Sequence, residues 1–315
     1  MMGSTQGYLT DKRRENLFRR LTKGSAILVF ILFMAIILSL FMQSWQSISQ
    51  FSWGFLWQGE WDPVANQYGA LVPIVGTVIT SSIALMIAVP ISFGIAIFLS
   101  EIAPDWLSKP IAVAIEMLAA IPSIIYGMWG LFVFVPLFQQ YVQPYFIDYL
   151  SLIPLLGTLF DDAPFGVGLF SAGLVLAIMI IPFIASVMRD IFNSVPAILK
   201  ESAYGLGATK WEVARSVILP YSRTGIVGAM MLGLGRALGE TMAVTFVIGN
   251  TFRLPESIFS PSTSIASAIA NEFNEASGLQ KSALIEAGLL LFLITTFVLV
   301  LSRLFIARMQ KKEGR

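Results

Sequence analysis

Two ionisable residues stand where an apolar sequence should have none. Arg236 and Glu240 lie in Gly235-Arg-Ala-Leu-Gly-Glu-Thr-Met-Ala-Val244, inside an apolar run over 224–249. A charge at the centre of a bilayer costs on the order of 2.5–3.5 kcal/mol on insertion scales, so the pair needs a compensating role. Arg carries a fixed fork of donors that stays charged in a poorly hydrated path and can give an oxyanion two parallel hydrogen bonds. On a continuous helix Glu240 falls on the same face one turn later. There it can pair with Arg236 and neutralise it when no anion is held, although Arg before Glu is the less favourable order. Thr241 and Thr245 extend the polar stripe, yet Thr also bonds back to its own helix in apolar surroundings. Arg236, Glu240 and Thr241 are therefore candidate substrate-pathway residues; the alternative is an internal pair that fixes the helix against its neighbours. The chain has no Cys and no His, which removes thiolate nucleophiles, imidazole bases and the commonest transition-metal ligands.

The elements that must position these residues are membrane helices. Of 315 residues, 56% are hydrophobic and 12% charged, against roughly 25% charged in a soluble domain. Polar groups are too few to cover a water-soluble fold of this size. The net charge of +1 supplies no global field for nucleic acid. Runs near the length needed to cross a bilayer core occur at 24–44, 71–99, 111–138, 167–188, 224–249 and 283–306. They predict an all-α membrane protein with a six-helix domain at 24–308, an N-terminal segment at 1–23 and a tail at 309–315. Six spans put both termini on one side. The Lys and Arg residues from Lys12 to Lys23, Lys109, those from Arg189 to Arg223 and those from Arg303 to Arg315 all fall on that side, 17 of the 20 in the chain. The positive-inside rule makes it the cytoplasmic side. Only Arg253 and Lys281 fall outside, and Arg236 is within a span.

The first run is too long for a cleaved signal, and Gln43-Ser44-Trp45-Gln46 offers no small-x-small site. Trp45, Phe51, Trp53, Phe55, Trp57 and Trp61 follow it and are expected to anchor at an interface. Leu150 to Gly157 is apolar but too short to span, which suits an interfacial or re-entrant helix. In the third run Glu116 should find a snorkelling or interhelix partner, and Pro122-Ser123 should kink the span or line a cavity. Glu286 is expected at the outside interface. Gly235 and Gly239 have the spacing that lets membrane helices approach closely.

Residues 189–223, between spans 4 and 5, read as two short helices joined by a turn. Asn193 and Ser194 can cap a helix whose first turn holds Pro196, and Gly205 and Gly207 stop it. Thr209-Lys-Trp-Glu212 is a capping box that opens the second helix, with Pro220 near its end. Tyr204, Leu206, Trp211, Val213 and Val217 exceed what a solvated linker needs, so a partner surface is implied. The alternative is an ordinary amphipathic hairpin at the interface.

Glu201-Ser-Ala203, Gly207, Val217 and Leu219-Pro220 resemble the EAA---G---------I-LP loop of the permease subunits of binding-protein-dependent ABC importers. Ser202 stands for the second Ala and Val217 for Ile, and the spacing is otherwise kept. The resemblance implies a type I importer permease fold in a bacterial inner membrane. It also implies that this loop docks on a cytoplasmic ATPase, with Glu201, Ala203, Gly207, Trp211, Leu219 and Pro220 as coupling positions. The stretch 235–244 together with Ala120-Ile-Pro-Ser-Ile-Ile-Tyr-Gly127 is similar to the phosphate-specific branch of that family. For that branch the expected partners are a second permease (PstA-like), two copies of the ATPase (PstB-like) and a periplasmic phosphate-binding protein (PstS-like). ATP and Mg would belong to the ATPase, and no cofactor to this chain, which has no GxxxxGK[ST] phosphate cradle. Alternatives are an importer of molybdate, sulfate or phosphonate, and a secondary transporter, which would leave the loop at 201–220 unexplained.

Overall fold

A backbone in lipid must satisfy its own hydrogen bonds, which leaves apolar runs of this length little choice but helix. The computed structural model describes residues 3–150, 157–160 and 163–312. Among them, six helices are long and apolar enough to cross a membrane: Glu15–Phe51, Leu71–Ile102, Ser123–Tyr149, Leu169–Asn193, Lys210–Leu238 and Gly278–Met309, here spans 1 to 6. Most of the expected short helix after Leu150, residues 151–156, lies outside the described residues.

Span 4 is the hub. Over its apolar window 61% of residues are buried, whereas none are in span 1. Span 2 packs along span 4 in the most extensive contact of the bundle, span 5 crosses spans 4, 6 and 2, and span 1 packs along span 6. Spans 2, 4 and 5 share the main apolar core, which includes Ala88, Leu176, Ile180, Ile184, Met188 and Ala229. A Cβ at Gly233 would come within 2.5 Å of Ile184 Cδ1, and one at Gly225 within 2.6 Å of Ile191 Cγ2, so spans 5 and 4 pack tightly at both positions. Gly235 and Gly239, expected to make the close approach, do not: a Cβ on Gly235 would meet only Leu299, at 3.8 Å, and one on Gly239 only its own helix.

Two spans depart from the apolar runs, and each departure is a helix break. The run at 111–138 is two elements, because Asp105–Ala119 ends before Pro122 and the span starts at Ser123. Proline lacks an N–H and disfavours helix at the residue before it. Apolar continuity concealed a corner. The separate helix Asp105–Ala119 is tied to span 4 by Glu116 and Arg189 at 2.8 Å, the interhelix partner expected for this acid. Span 5 begins at Lys210, continues through Pro220 and stops at Leu238. Pro220 ends nothing, since the preceding turn Ala214–Ile218 is π-helical and accommodates the ring.

The side opposite the 189–223 hairpin is capped by loops. Trp61–Asp62 and Gln67–Tyr68 form a small antiparallel hairpin. Trp61 is no interfacial anchor: its Nε1 donates to Glu272 at 2.7 Å and its ring stacks on Phe252. Phe51 and Phe55 likewise pack on each other and Phe51 on Tyr68, while Trp45, Trp53 and Trp57 are exposed as anchors would be. Residues 249–264 fold back onto the bundle, with Leu169 and Phe170 donating from their backbone N–H to the carbonyls of Ser260 and Ile258. Ile265 N–H donates to Thr77 Oγ1 at 3.0 Å. One residue earlier, at Gly76, a Cβ would collide with the Thr263 carbonyl. Span 6 starts five residues before its apolar run, at Gly278, and Glu286 is buried within the bundle.

Candidate functional site

The hairpin between spans 4 and 5 is built by local rules. Ala197–Gly205 follows Pro196, and its end is closed by two backbone bonds, Ala208 N–H to the Ala203 carbonyl and Gly207 N–H to the Tyr204 carbonyl. This is a Schellman closure, which requires a left-handed residue at its penultimate position. Gly207 has φ +89. The four-residue interval between Ala203 and Gly207 is therefore a geometric requirement of the turn. Thr209 then opens the second limb with the capping box, as Glu212 N–H donates to Thr209 Oγ1 and Thr209 N–H to Glu212 Oε2.

Ala197–Gly205 buries none of its residues fully. The outward side is apolar: Leu206 is 91% exposed and Trp211 64%, with Ile198, Leu199 and Tyr204 beside them. Glu201 is exposed and Ala203 half-buried, whereas Val213, Ala214 and Ile218 are buried against the bundle. Leu219 and Pro220 are half-buried and belong to span 5. The Tyr204 hydroxyl is pushed above its ordinary pKa by burial first and by the Glu101 carboxylate second.

Arg236 occupies the last turn of span 5, where the helix is interrupted. Gly239 closes Leu219–Leu238, and a short helix, Met242–Val247, follows after Thr241. Glu240 Oε1 accepts from Ala243 N–H at 3.2 Å, satisfying a first-turn donor of that short helix. Thr241 takes the N-cap position, and its carbonyl accepts from Thr245 Oγ1 at 2.7 Å. Arg236 is thus on span 5 and Glu240 in the linker that follows it, and the two form no ion pair among the described residues. The pairing expected from continuous helical spacing fails because the helix is not continuous.

The Arg236 guanidinium lies over the Phe183 ring of span 4, 5.4 Å from its centroid, a cation–π contact. Its buried Nε has no hydrogen-bond partner. Phe183 is roughly 21 Å along span 4 from Leu169 and roughly 15 Å from Asn193, at 1.5 Å per residue. The charge and the helix break are therefore at mid-membrane depth. Ser123–Trp129 of span 3 packs against Met242–Val247, where a Cβ at Gly127 would meet Phe246 and Ala243. The two segments at 120–127 and 235–244, far apart in sequence, meet in space.

Residues 88–311 match the family model of the binding-protein-dependent transport system inner membrane component. The chain belongs to this family. It is a multi-pass membrane permease subunit of an ABC transporter. The chain is 70% identical over 301 residues to the phosphate transport system permease protein PstC of Pasteurella multocida, covering 96% of this chain and 94% of that one. It is 67% identical to the protein of the same name from Haemophilus influenzae over the full length of both. Identity to the Xylella fastidiosa PstC is 52%, over 97% of this chain and 94% of the other. A bacterial alginate ABC transporter solved with its periplasmic protein shares the fold, with TM-score 0.63 at 16% identity over 96% of this chain and 98% of that one.

Within the permease the structure sorts the candidate residues. Glu201, Ala203, Gly207 and Trp211 share one hairpin, with Leu219 and Pro220 on the helix it feeds. Arg236, Glu240 and Thr241 gather at the break of span 5. Sequence reasoning missed Phe183 and the contact between Glu101 and Lys200. The first had no polar signal, and the second joins residues 99 positions apart.

Proposed function

We propose that this permease carries inorganic phosphate into the cytoplasm and is driven by a separate ATPase docked on the 201–220 hairpin. The observation that carries the substrate is the placement of Arg236: a guanidinium at mid-membrane depth, at a helix break, with a buried Nε unpartnered. Such a group suits an oxyanion, which its fork can hold bidentately. Broken helices at the bilayer midplane are a recurrent way of building a transport site. Identity of 67–70% to relatives named as phosphate permeases supports phosphate over sulfate or molybdate.

The roles follow from the geometry. Phe183 holds the guanidinium by its ring face and leaves its donors for the anion. Glu240, committed to the short helix, keeps the break open without locking Arg236 in an ion pair, so the anion is held by one cation and can be released. Thr241 starts the short helix beside it. The exposed Leu206 and Trp211 supply an apolar surface for the ATPase, and Gly207 lets the hairpin turn beneath it. A PstA-like permease, two PstB-like ATPase copies holding ATP and Mg, and a PstS-like binding protein would complete the complex. Radiolabelled phosphate uptake by the reconstituted complex tests this reading. Uptake should require ATP and resist competition by excess sulfate or molybdate; uptake abolished equally by those anions would refute phosphate as the substrate.

A further inference from the structure

The coupling hairpin is fastened to the bundle at more than its two covalent ends. Lys200, on Ala197–Gly205, turns inward: its side chain is 17% exposed, and Nζ is 2.5 Å from Oε1 of Glu101, itself 7% exposed. Glu101 belongs to Phe98–Ile102, the π-helical last turn of span 2. Lys200 Nζ also donates to the Phe192 carbonyl of span 4 at 3.3 Å, and from the other limb Lys210 Nζ donates to the Ile102 carbonyl at 3.3 Å. Packing alone did not need these charges, because Val195, Val213 and Ile218 already bury apolar surface around the hairpin. An apolar contact lets two surfaces slide, whereas a buried ion pair has one geometry and leaves an uncompensated charge if it opens.

Span 2 then leads to the opposite side of the bundle. It packs along span 4, and near its other end Gly76 and Thr77 seat residues 263–265 of the outer segment. We propose that Glu101 and Lys200 form a strut that makes span 2 move as one body with the coupling hairpin, carrying its displacement to the outer segment at 249–264. Both are positioning residues, acting through span 2 and touching no substrate. The inference rests on the hairpin being where the ATPase docks.

Two measurements on the whole reconstituted complex test it. The first is phosphate imported per ATP hydrolysed in Glu101→Gln, Lys200→Met and Lys200→Arg. The two that break the pair should lower the ratio on the order of fivefold or more, the low end of coupling between sites, while hydrolysis continues; Lys200→Arg, which keeps it, should not. A purely structural contact would reduce the amount of complex and leave the ratio unchanged, and an unchanged ratio overturns the proposal. The second is the distance between spin labels at exposed Met86 and Ala197, readily placed because the chain has no Cys. It should stay fixed between nucleotide-free and ATP-bound complex and change in Lys200→Met. A distance that changes with nucleotide in the unmodified chain overturns the strut whatever the substrate. Absent phosphate uptake by the unmodified complex would instead refute the functional reading.

Discussion

Replacing Arg236 by Gln removes the charge and keeps a polar side chain of moderate length. Among the described residues the guanidinium has a buried Nε without a partner and no ion pair, and its neighbours include the Phe183 ring and the Tyr126 side chain. Little folding energy is therefore at stake in its charge. What is lost is the anion's partner. A hydrogen bond to a charged group is worth about 1.5–3 kcal/mol, so losing a bidentate pair removes about 3 kcal/mol at the low end. At 1.4 kcal/mol per factor of ten that is about 100-fold in phosphate uptake below saturation. The assay is initial-rate uptake in proteoliposomes at equal complex content, with ATP hydrolysis followed in parallel.

The double variant Arg236→Gln, Glu240→Gln supplies the sharper result. If the two residues neutralised each other across one helical turn, removing both would restore much of what either loses. Here Glu240 accepts from Ala243 N–H on the next helix, so the double variant should be no better than Arg236→Gln alone. Recovery of uptake in the double variant would refute the separation of the two roles. Uptake by Arg236→Gln within threefold or so of the unmodified complex, against the hydrogen-bond estimate above, would remove Arg236 from the route.

Three further outcomes are expected. Gly207→Val forces a branched residue to φ +89, at a cost of about 1–2 kcal/mol from the left-handed backbone alone; the hairpin turn should distort, and ATP hydrolysis should continue with little phosphate uptake. Gly233→Leu drives a side chain into Ile184, where even a Cβ would sit 2.5 Å away. Overpacking costs about 1–3 kcal/mol or more, so the detergent-solubilised complex should melt lower, while the same change at Gly228, whose Cβ meets nothing within 4 Å, should be tolerated better. Glu286 is 7% exposed and faces the Ser47 side chain, so Glu286→Gln, which removes the ionisable group from a buried site and keeps a polar head toward Ser47, should leave thermal stability unchanged or raised; a fall of several degrees would show that the site needs the carboxyl itself.

The sequence-level reading succeeded where one local rule acts alone. Six spans follow from apolar length, and the hairpin follows from Gly207 and the Thr209–Glu212 box, which the structure realises, whereas Pro196 itself takes the N-cap position of the first limb and Asn193 and Ser194 do not cap it. It failed where two rules compete within one apolar run. Over 111–138 and 224–249 hydropathy favours a continuous helix, but Pro122 and the Gly239-Glu-Thr241 stop-and-cap sequence break it. The second signal differs from Gly207-Ala-Thr209, since Gly239 has an ordinary negative φ and Glu240 Oε1, not the Thr241 hydroxyl, receives an N–H of the next helix. Its apolar surroundings hid it, and a false ion pair was the consequence. The Glu101–Lys200 contact had no local signal at all, since long-range pairing is decided by how helices pack.

On the proposed reading, the helix break after Leu238 would also join the two candidate sites mechanically. The capping box at Thr209 and Arg236 stand near opposite ends of a single uninterrupted helix, Lys210–Leu238, of 29 residues. At 1.5 Å per residue it is about 43 Å long, so pivoting it by about 10° at the hairpin moves the far end by about 7 Å. That is enough to carry Arg236 off the Phe183 ring. A helix continuing unbroken to residue 249 would have to drag residues 242–247 off span 3; the interruption at Gly239–Thr241 would let the Arg-bearing end swing while Met242–Val247 stays packed on Ser123–Trp129. Rigidity from the hairpin to Arg236, and freedom immediately after it, are what a stroke delivered at one face needs to release a charge held at mid-depth.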